Sequence, residues 1–264
     1  MNRPLEGRVY IVTGASRGFG EAIARALVEA GALVGVTGRD ATALATVATS
    51  LGEGKAHAEV ADVTDAEGSA AAFARIKSHF GRLDGLVNNA GLARPGSIHT
   101  LQAEEVRLQV ETNFIGTVLC CQAALPLLRG GDNPRIVNIS SASAEHHDEM
   151  SHLSIYAATK RAVERFSRDM RRELQADGIG VTILRPGNAP TAFAAGWDRG
   201  RFDAALEAWY KAGSEMDVGM DVNHVGESVA WCLASPPGVS VDVLEVRPNI
   251  RIPKPPKSLL MGPE

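Results

Sequence analysis

Residues 8–31 of the chain read RVYIVTGASRGFGEAIARALVEAG. The apolar, β-branched start is typical of a buried strand, and the alanine-rich remainder is typical of a helix that ends at its final glycine. The turn TGASRGFG (13–20) joins them, and glycines at such a turn let the backbone come close to a phosphate group, which the helix N-terminus attracts. A dinucleotide-binding site is therefore predicted. A purely structural turn is the alternative, because the spacing of Gly14, Gly18 and Gly20 is not GxGxxG.

The same order of strand and helix continues along the chain. Apolar segments typical of strands occupy residues 8–14, 32–38, 55–63, 83–91, 134–143, 179–187 and 240–246. Segments typical of helices occupy residues 20–31, 40–52, 65–81, 103–131 and 154–178. Because strands and helices alternate, right-handed crossovers should give a parallel sheet. The predicted fold class is α/β: a Rossmann-like, doubly wound, seven-stranded parallel sheet with helices on both faces, in a single domain.

The predicted domain covers residues 1–248, and two segments depart from its rhythm. Residues 191–222 interrupt the alternation and are rich in aromatic residues, which could form the core of a helical flap or line an apolar pocket. The last segment, residues 249–264, is proline-rich and is expected to be neither regular helix nor central strand. It is treated as a C-terminal tail.

Composition excludes several classes of protein. A net charge of −4 over 264 residues argues against a nucleic-acid-binding protein that relies on phosphate contacts. No apolar run approaches the ~18–20 residues of a membrane span, and the N-terminus has no signal-peptide core, so a cytoplasmic protein with free thiols is expected. The polar segment EHHDEMSH (145–152) lacks the HExxH spacing of a metal site, and no metal is predicted.

The end of the second predicted strand, VGVTGRD, bears on which dinucleotide would bind. A carboxylate at this place usually holds the ribose 2′-hydroxyl of NAD. Gly38 occupies the expected acidic position and Arg39 follows it, with Arg17 available in the glycine-rich turn. Because an arginine can pair with a 2′-phosphate, NADP(H) is favoured. Asp40 keeps NAD(H) as the alternative.

Four motifs in order carry a family resemblance. They are TGASRGFG, NNAG (88–91), YAATK (156–160) and RPGNAPT (185–191). With them, the chain resembles the classical short-chain dehydrogenase/reductase family over about residues 6–248. The resemblance implies hydride transfer between a nicotinamide cofactor and a small-molecule ketone or secondary alcohol. It also implies a substrate lid at 191–222 and assembly as a homodimer or homotetramer.

The resemblance further implies a catalytic tetrad. Tyr156 is the expected acid/base. Lys160, one helical turn away, and the nicotinium of an oxidised cofactor are the near cations expected to lower the phenol pKa by ~2–3 units. For the serine that binds the carbonyl oxygen, strand register favours Ser141, whereas the usual separation from the tyrosine favours Ser143. Asn113 matches the fourth member, which disturbs its helix locally and holds a water that connects the lysine to solvent.

The cofactor contacts are implied by the same resemblance. The glycine-rich turn should hold the pyrophosphate, the ends of the second and third strands the adenosine, and the ends of the fourth and sixth strands the ribose and nicotinamide. The candidate cofactor-binding residues are Gly14, Ser16, Arg17, Gly18, Phe19, Gly20, Arg39, Asp62, Val63, Asn89, Ala90, Gly91, Tyr156, Lys160, Pro186, Gly187 and Thr191.

The chain departs from the family pattern where EHHDEM (145–150) replaces a short, glycine-containing stretch. This departure and the aromatic flap favour a carbonyl compound other than an acyl thioester. A 3-oxoacyl-(acyl-carrier-protein) reductase is the alternative within the class. A non-catalytic NAD(P)-sensing protein is the alternative of another class, although a sensor has no need of all four tetrad residues.

Overall fold

The computed structural model describes residues 4–146, 151–189, 191–194, 196–211 and 219–249. Within these residues seven strands form one sheet, and every neighbouring pair is parallel, in the order β3-β2-β1-β4-β5-β6-β7. The strands are β1 (Val9–Thr13), β2 (Leu33–Gly38), β3 (Ala56–Val60), β4 (Gly85–Asn88), β5 (Arg135–Ile139), β6 (Gly180–Pro186) and β7 (Val243–Val246). The predicted fold class is confirmed.

Eight α-helices are described in these ranges. They are α1 (Gly18–Glu29), α2 (Ala41–Ser50), α3 (Ala66–Phe80), α4 (Ala103–Val110), α5 (Gly116–Leu128), α6 (Ser154–Glu173), α7 (Arg199–Lys211) and α8 (Val222–Leu233). Alternate residues of β1 face the two helical layers that cover the sheet. Tyr10 and Val12 face a core shared with α1, α2 and α8, whereas Val9 and Ile11 face a core shared with α3, α5 and α6. Strands covered on both faces read as continuous apolar runs, which is why the sequence predicts them well.

Two predicted elements differ from the structure. The strand predicted over 134–143 ends at Ile139. The helix predicted over 103–131 is two helices, separated by a π-helical turn at Glu111–Ile115. Each difference arises where side chains bond to the backbone or pack against distant segments, which local periodicity does not record. Helix α7 lies inside the segment 191–222, for which a helical flap is one of the two expectations.

Among the described residues, Ala103–Leu128 is the one stretch that is long and apolar enough to cross a membrane. In the fold this stretch carries the π-helical turn and packs between α3 and α6 in one layer over the sheet. One such stretch is weak evidence for a membrane span, because a core helix of a globular protein has the same composition. The predicted tail lies outside the described residues from position 250 onward.

Candidate active site

The glycine-rich turn forms a cradle that has no room for side chains. A Cβ atom on Gly20 would lie 2.2 Å from the carbonyl oxygen of Gly14, and one on Gly14 would lie 2.8 Å from the Cα atom of Ala90. Gly14 and Gly18 have positive φ values of 63° and 60°. Glycine is therefore required at Gly14 by both space and backbone conformation, at Gly20 by space and at Gly18 by backbone conformation. The structural requirement and the predicted ligand site coincide.

The segment NNAG lies at the end of β4, the strand beside β1, and hydrogen bonds from it hold the glycine-rich turn in place. The amide Nδ2 of Asn89 donates to the carbonyl oxygens of Thr13 and Gly14, at 2.9 and 3.1 Å. The hydroxyl of Thr13 accepts the backbone N–H groups of Asn89 and Ala90, both at 3.1 Å. The side chain of Asn89, predicted as a cofactor contact, thus fixes the shape of the turn. Thr13 is a positioning residue that the sequence motifs did not single out.

Helix α1 begins at Gly18, inside this cradle. In the described part of the chain, the N-cap residue Arg17 has an extended backbone and its side chain makes no capping hydrogen bond. The first N–H groups of α1 can therefore be satisfied by an anion. Thr191 lies beside the turn, with its Cβ atom 3.6 Å from the position of a Cβ on Gly18. A cradle without side chains at an uncapped helix N-terminus fits a dinucleotide pyrophosphate.

Beyond the end of β2 the two charged candidates have different roles. Asp40 is the N-cap of α2, and its Oδ1 accepts the backbone N–H of Ala43 at 3.0 Å. Arg39 is exposed, and its Nη1 lies 3.9 Å from Oδ2 of Asp62 after β3. Because the carboxylate of Asp40 already caps a helix, the exposed guanidinium of Arg39 is the better placed of the two to meet a ligand. Val63 is buried next to Asp62.

Tyr156 and the two candidate serines meet at the carboxyl end of β5. Ser141 lies beside Tyr156, close enough to act on the pKa of the phenol, and its Oγ accepts from Oγ of Ser143 at 2.9 Å. Ser143 also donates its backbone N–H to the same oxygen, at 3.2 Å. Ser141 is thus the serine next to the phenol, and Ser143 bonds to Ser141.

Lys160 lies under this group on α6. It is buried, and its Nζ donates to the carbonyl oxygen of Ile139, the last residue of β5, at 2.8 Å. The same atom is 5.9 Å from the centre of the Tyr156 ring. The predicted proximity of phenol and amine is therefore present, and the β5 carbonyl fixes the lysine.

The effect of this proximity on the pKa of Tyr156 differs from the expectation. Burial raises the pKa of Tyr156 to about 12, and Ser141 lowers it only in part. Burial also lowers the pKa of Lys160 to about 8. Without the cofactor, burial thus opposes the expected lowering of the phenol pKa, because it disfavours both charged forms. The lowering by Lys160 together with an oxidised cofactor stays a prediction.

Asn113 sits in the π-helical turn and is fully buried. Its Nδ2 donates to the carbonyl oxygen of Leu92 at 2.8 Å and to Oγ1 of Thr159 at 3.0 Å, and its Oδ1 accepts the N–H of Leu92 at 2.8 Å. A Cβ on Gly91 would lie 3.3 Å from both Oδ1 of Asn113 and Nζ of Lys160. Asn113 thus joins the loop after β4 to the helix of the lysine. The predicted water-holding role stays a prediction.

The segment after β6 closes the site from the other side. Pro186 ends β6, and Gly187 donates its N–H to the carbonyl oxygen of Val246 at 2.8 Å. A Cβ on Gly187 would lie 3.2 Å from the side chain of Arg247. Farther along, the ring of Phe193 packs edge-on against Tyr156, with ring centres 5.2 Å apart. The sequence identified Phe193 as one of several aromatic residues, but not as the neighbour of the phenol.

A buried ionic network behind the serines has no counterpart among the sequence predictions. Arg185 of β6 bonds to Glu164 of α6 through Nε and Nη2, at 2.6 and 2.7 Å, and to Glu145 at 2.9 Å. Glu164 also accepts from Oγ of Ser140 at 2.8 Å. One signal was available: an arginine inside an otherwise apolar buried strand requires a partner.

The polar segment 145–152 does not form a metal site in its described part. His146 bonds through Nε2 to Oε1 of Glu245 in β7, at 2.7 Å. The side chains of residues 147–150 lie outside the described residues. Elsewhere in the described ranges, no group of three or more His, Cys, Asp or Glu side chains could hold a metal ion.

Comparisons with known proteins agree with this geometry. The family described as short chain dehydrogenase matches residues 8–201. An uncharacterized oxidoreductase of Staphylococcus aureus (strain N315) is 32% identical over 244 residues, covering 92% of this chain and 98% of the relative. The alcohol dehydrogenase of the archaeon Thermococcus sibiricus, complexed with 5-hydroxy-NADP, has a TM-score of 0.77 and 26% identity, covering 94% of this chain and 99% of that one. A 3-ketoacyl-(acyl-carrier-protein) reductase from Brucella melitensis, complexed with NADH, has a TM-score of 0.79 and 28% identity, covering 92% of this chain and 97% of that one.

Proposed function

The chain belongs to the short-chain dehydrogenase family, and we propose that it is an NADP(H)-dependent oxidoreductase that acts on a ketone or secondary alcohol. One observation carries the proposal: Ser141 lies beside Tyr156 at the end of β5, and Nζ of the buried Lys160 lies 5.9 Å from the centre of the same ring. A fold alone proves no reaction, because one fold hosts many activities. A phenol, a serine and an amine brought together beside a phosphate-binding cradle have a specific chemical use.

In the proposed mechanism, Ser141 and Tyr156 both bind the carbonyl oxygen of the substrate and polarise it. The nicotinamide of a bound cofactor supplies the hydride for the carbonyl carbon. Tyr156 then gives its proton to the oxygen as negative charge develops there. A pKa of about 12 keeps the phenol protonated at neutral pH, and an alkoxide is more basic than a phenolate, so the transfer is favourable. Lys160 supplies positive charge beneath the phenol while it is protonated.

NADP(H) is proposed as the cofactor because of the charges after β2. Arg39 is exposed beside Asp62, whereas Asp40 is occupied as a helix cap. A guanidinium can make charge-assisted bonds to a 2′-phosphate. The relative from Thermococcus sibiricus holds an NADP derivative and the one from Brucella melitensis holds NADH, so the charges of this chain, and not the likeness, support the preference.

The proposal is tested by NADPH and NADH consumption over a panel of ketones, diketones, sugars and acyl thioesters. Wild type should oxidise NADPH with at least one ketone, and Tyr156→Phe should lose at least about 100-fold of the rate, because the proton donor is gone. A fluorescence titration of the variant with NADPH separates a loss of proton transfer from a loss of cofactor binding. Turnover that survives in Tyr156→Phe would refute the assignment. Cofactor binding without turnover of any carbonyl compound would favour the sensor alternative, and preference for a thioester would favour the acyl-carrier-protein alternative.

We also propose that the protein is a cytoplasmic homodimer or homotetramer. The helical layer of α4, α5 and α6 leaves apolar side chains open, among them Ile115, which is 42% exposed. A second copy would cover such a face. The three cysteines are free and buried, which is consistent with a reducing compartment. Light scattering that gives the mass of one chain at micromolar concentration would refute the assembly.

A further inference from the structure

A ladder of aromatic rings leads from the phenol into the lid segment. Each ring packs edge-to-face on the next, with successive ring centres 5.2, 5.8, 5.4 and 6.2 Å apart. The rings, in order, are those of Tyr156, Phe193, Trp197, Phe202 and Trp209. Edge-to-face packing is the geometry that aromatic rings prefer, so the ladder is a continuous apolar wall.

The far part of the ladder is anchored to the protein. Trp209 is 2% exposed, and its Nε1 donates to the carbonyl oxygen of Ser151. Nε1 of Trp197 donates to the carbonyl oxygen of Ala93, at 3.0 Å. Both indole N–H groups are thus satisfied, and Trp209 belongs to a buried core with Leu153, against which Trp197 and Phe202 pack as partly buried rings. This part of the ladder is fixed by packing and by hydrogen bonds.

The near end of the ladder is different. Phe193 is 38% exposed although it lies directly against the ring of Tyr156. A carbonyl oxygen bound by Tyr156 and Ser141 places the two substituents of the carbonyl carbon within a few ångströms of that phenol. One of these substituents therefore meets the open part of Phe193. An apolar ring is a favourable contact for an apolar group and offers a polar one no hydrogen bond.

Two arginines of the described residues near the ladder have partners of their own. Nη1 of Arg201 pairs with Oε2 of Glu105, at 2.5 Å. Nη1 of Arg94 donates to the carbonyl oxygen of Ala93, at 2.9 Å, and Arg94 also acts with Arg201 to hold the pKa of Glu105 below its ordinary value. Against the ring of Phe193, a charged substituent on the substrate would lose hydration without gaining a partner from that ring.

We propose that the site takes a neutral carbonyl compound with an aromatic or similarly bulky apolar substituent beside the carbonyl carbon, and that Phe193 selects it. This inference rests on the proposed function and deepens it by naming the substrate class. The wall is supplied by the lid segment, whose aromatic residues have no role in the proton transfer itself.

The experiment compares three substrates with NADPH: acetophenone, hydroxyacetone and benzoylformate. Acetophenone presents a neutral ring, hydroxyacetone a small polar group, and benzoylformate a ring together with a carboxylate. For wild type, kcat/KM should be about 100-fold higher for acetophenone than for either of the other two. Phe193→Ala should raise KM for acetophenone by about tenfold more than it raises KM for hydroxyacetone, a difference of about 1.4 kcal/mol. The effect on kcat should be smaller.

Two further variants make the result specific. Phe193→Leu keeps an apolar side chain and should restore most of the affinity for acetophenone, which a loss of folding in Phe193→Ala would not predict. Trp231→Ala removes an aromatic ring that is 62% exposed on α8, and KM for acetophenone should stay within a factor of two. Thermal melts of all variants report on folding.

Several results would overturn the inference. They are preference for hydroxyacetone or benzoylformate, or a KM for acetophenone that Phe193→Ala leaves unchanged. In these cases NADPH is still oxidised in a Tyr156-dependent manner, so the proposed function stands and only the substrate class fails. If no carbonyl compound is reduced with either cofactor, the proposed function fails, and the inference with it.

Discussion

Replacing Glu164 by alanine should destabilise the protein by about 3 kcal/mol. The carboxylate is 1% exposed and lies in the middle of α6. It accepts hydrogen bonds from Nε and Nη2 of Arg185 at 2.6 and 2.7 Å, from Oγ of Ser140 at 2.8 Å and from Nη1 of Arg161 at 3.2 Å. Removal of Glu164 leaves the buried guanidinium of Arg185 without its bidentate carboxylate partner.

The magnitude depends on the charges that remain around Arg185. Breaking a buried ion pair by removing one partner costs about 3–5 kcal/mol, because the other charge stays out of water. The side chain of Arg185 is 9% exposed, but Glu145 at 2.9 Å and Glu245 at 3.5 Å still face it. These two carboxylates offset part of the loss, so the lower end of the range is expected.

The assay is urea unfolding at one fixed protein concentration, which keeps any assembly constant across variants. Asp169→Ala is the matched control on the same helix. Its partner Arg165 lies at 2.9 Å, but the two side chains are 47% and 79% exposed. An exposed pair of this kind contributes about 0.2–1 kcal/mol. The two variants therefore remove ion pairs that have similar N–O distances but differ in burial.

A double variant, Glu164→Leu with Arg185→Met, tests whether the lost stability comes from the buried charge that Glu164→Ala leaves unpaired. Replacing a buried ion pair by apolar residues of similar volume is often neutral or stabilising, so the double variant should recover most of the lost free energy. A loss below about 1 kcal/mol for Glu164→Ala, or a double variant as unstable as the single one, would refute the reasoning.

Three further predictions concern the cofactor site and Lys160. Gly20→Ala should weaken NADPH binding at least tenfold in a fluorescence titration, because its Cβ would lie 2.2 Å from a carbonyl oxygen of the cradle; an affinity within a factor of two of wild type would refute the cradle. Arg39→Ala should raise KM for NADPH about tenfold and leave KM for NADH nearly unchanged, since only NADPH carries the 2′-phosphate; an equal effect on both would refute the assignment. Lys160→Met should remove a stability gain between pH 7 and pH 9. The folded-state pKa of Lys160, about 8, lies below the usual value of 10.5, so above pH 8 the folded protein releases a proton that the unfolded chain keeps. Wild-type stability should then rise by about 1 kcal/mol relative to the variant over this window, measured by urea unfolding. If the stabilities of wild type and Lys160→Met change in parallel with pH, the lowered pKa of the buried Lys160 is contradicted.

The centre of the sheet could be predicted from the sequence because its strands are buried on both faces. All five residues of β1 are buried, and the same is true of β5. Such strands are largely apolar, and the glycine-rich turn between β1 and α1 adds a constraint of space that the sequence also records. The order of the motifs then brings Ser141, Tyr156 and Lys160 to one edge of the sheet, because the carboxyl ends of parallel strands meet there.

The segment after β5 could not be predicted in the same way. Ser140 bonds through its side chain to Glu164, and Ser141 caps the short turn that comes next, so the strand ends earlier than its apolar composition indicates. The π-helical turn at Asn113 depends on Leu92 and Thr159, which are 21 and 46 residues away. Partners at such separations are set by the fold, and no local pattern in the sequence records them.

The spacing of Tyr156 and Lys160 shows where sequence reasoning stops. A separation of four residues on a helix fixes the distance between two side chains, and that part of the prediction is confirmed by the 5.9 Å between Nζ and the ring centre. The sign of the pKa shift depends on a second quantity, the degree of burial, which the spacing does not contain. Burial raises the pKa of Tyr156 to about 12 and lowers that of Lys160 to about 8. With these values the protein's own groups keep the proton on the phenol throughout the physiological range, and the lysine retains its charge below pH 8. Spacing therefore predicts which side chains meet, whereas burial, which depends on the whole fold, decides how they titrate.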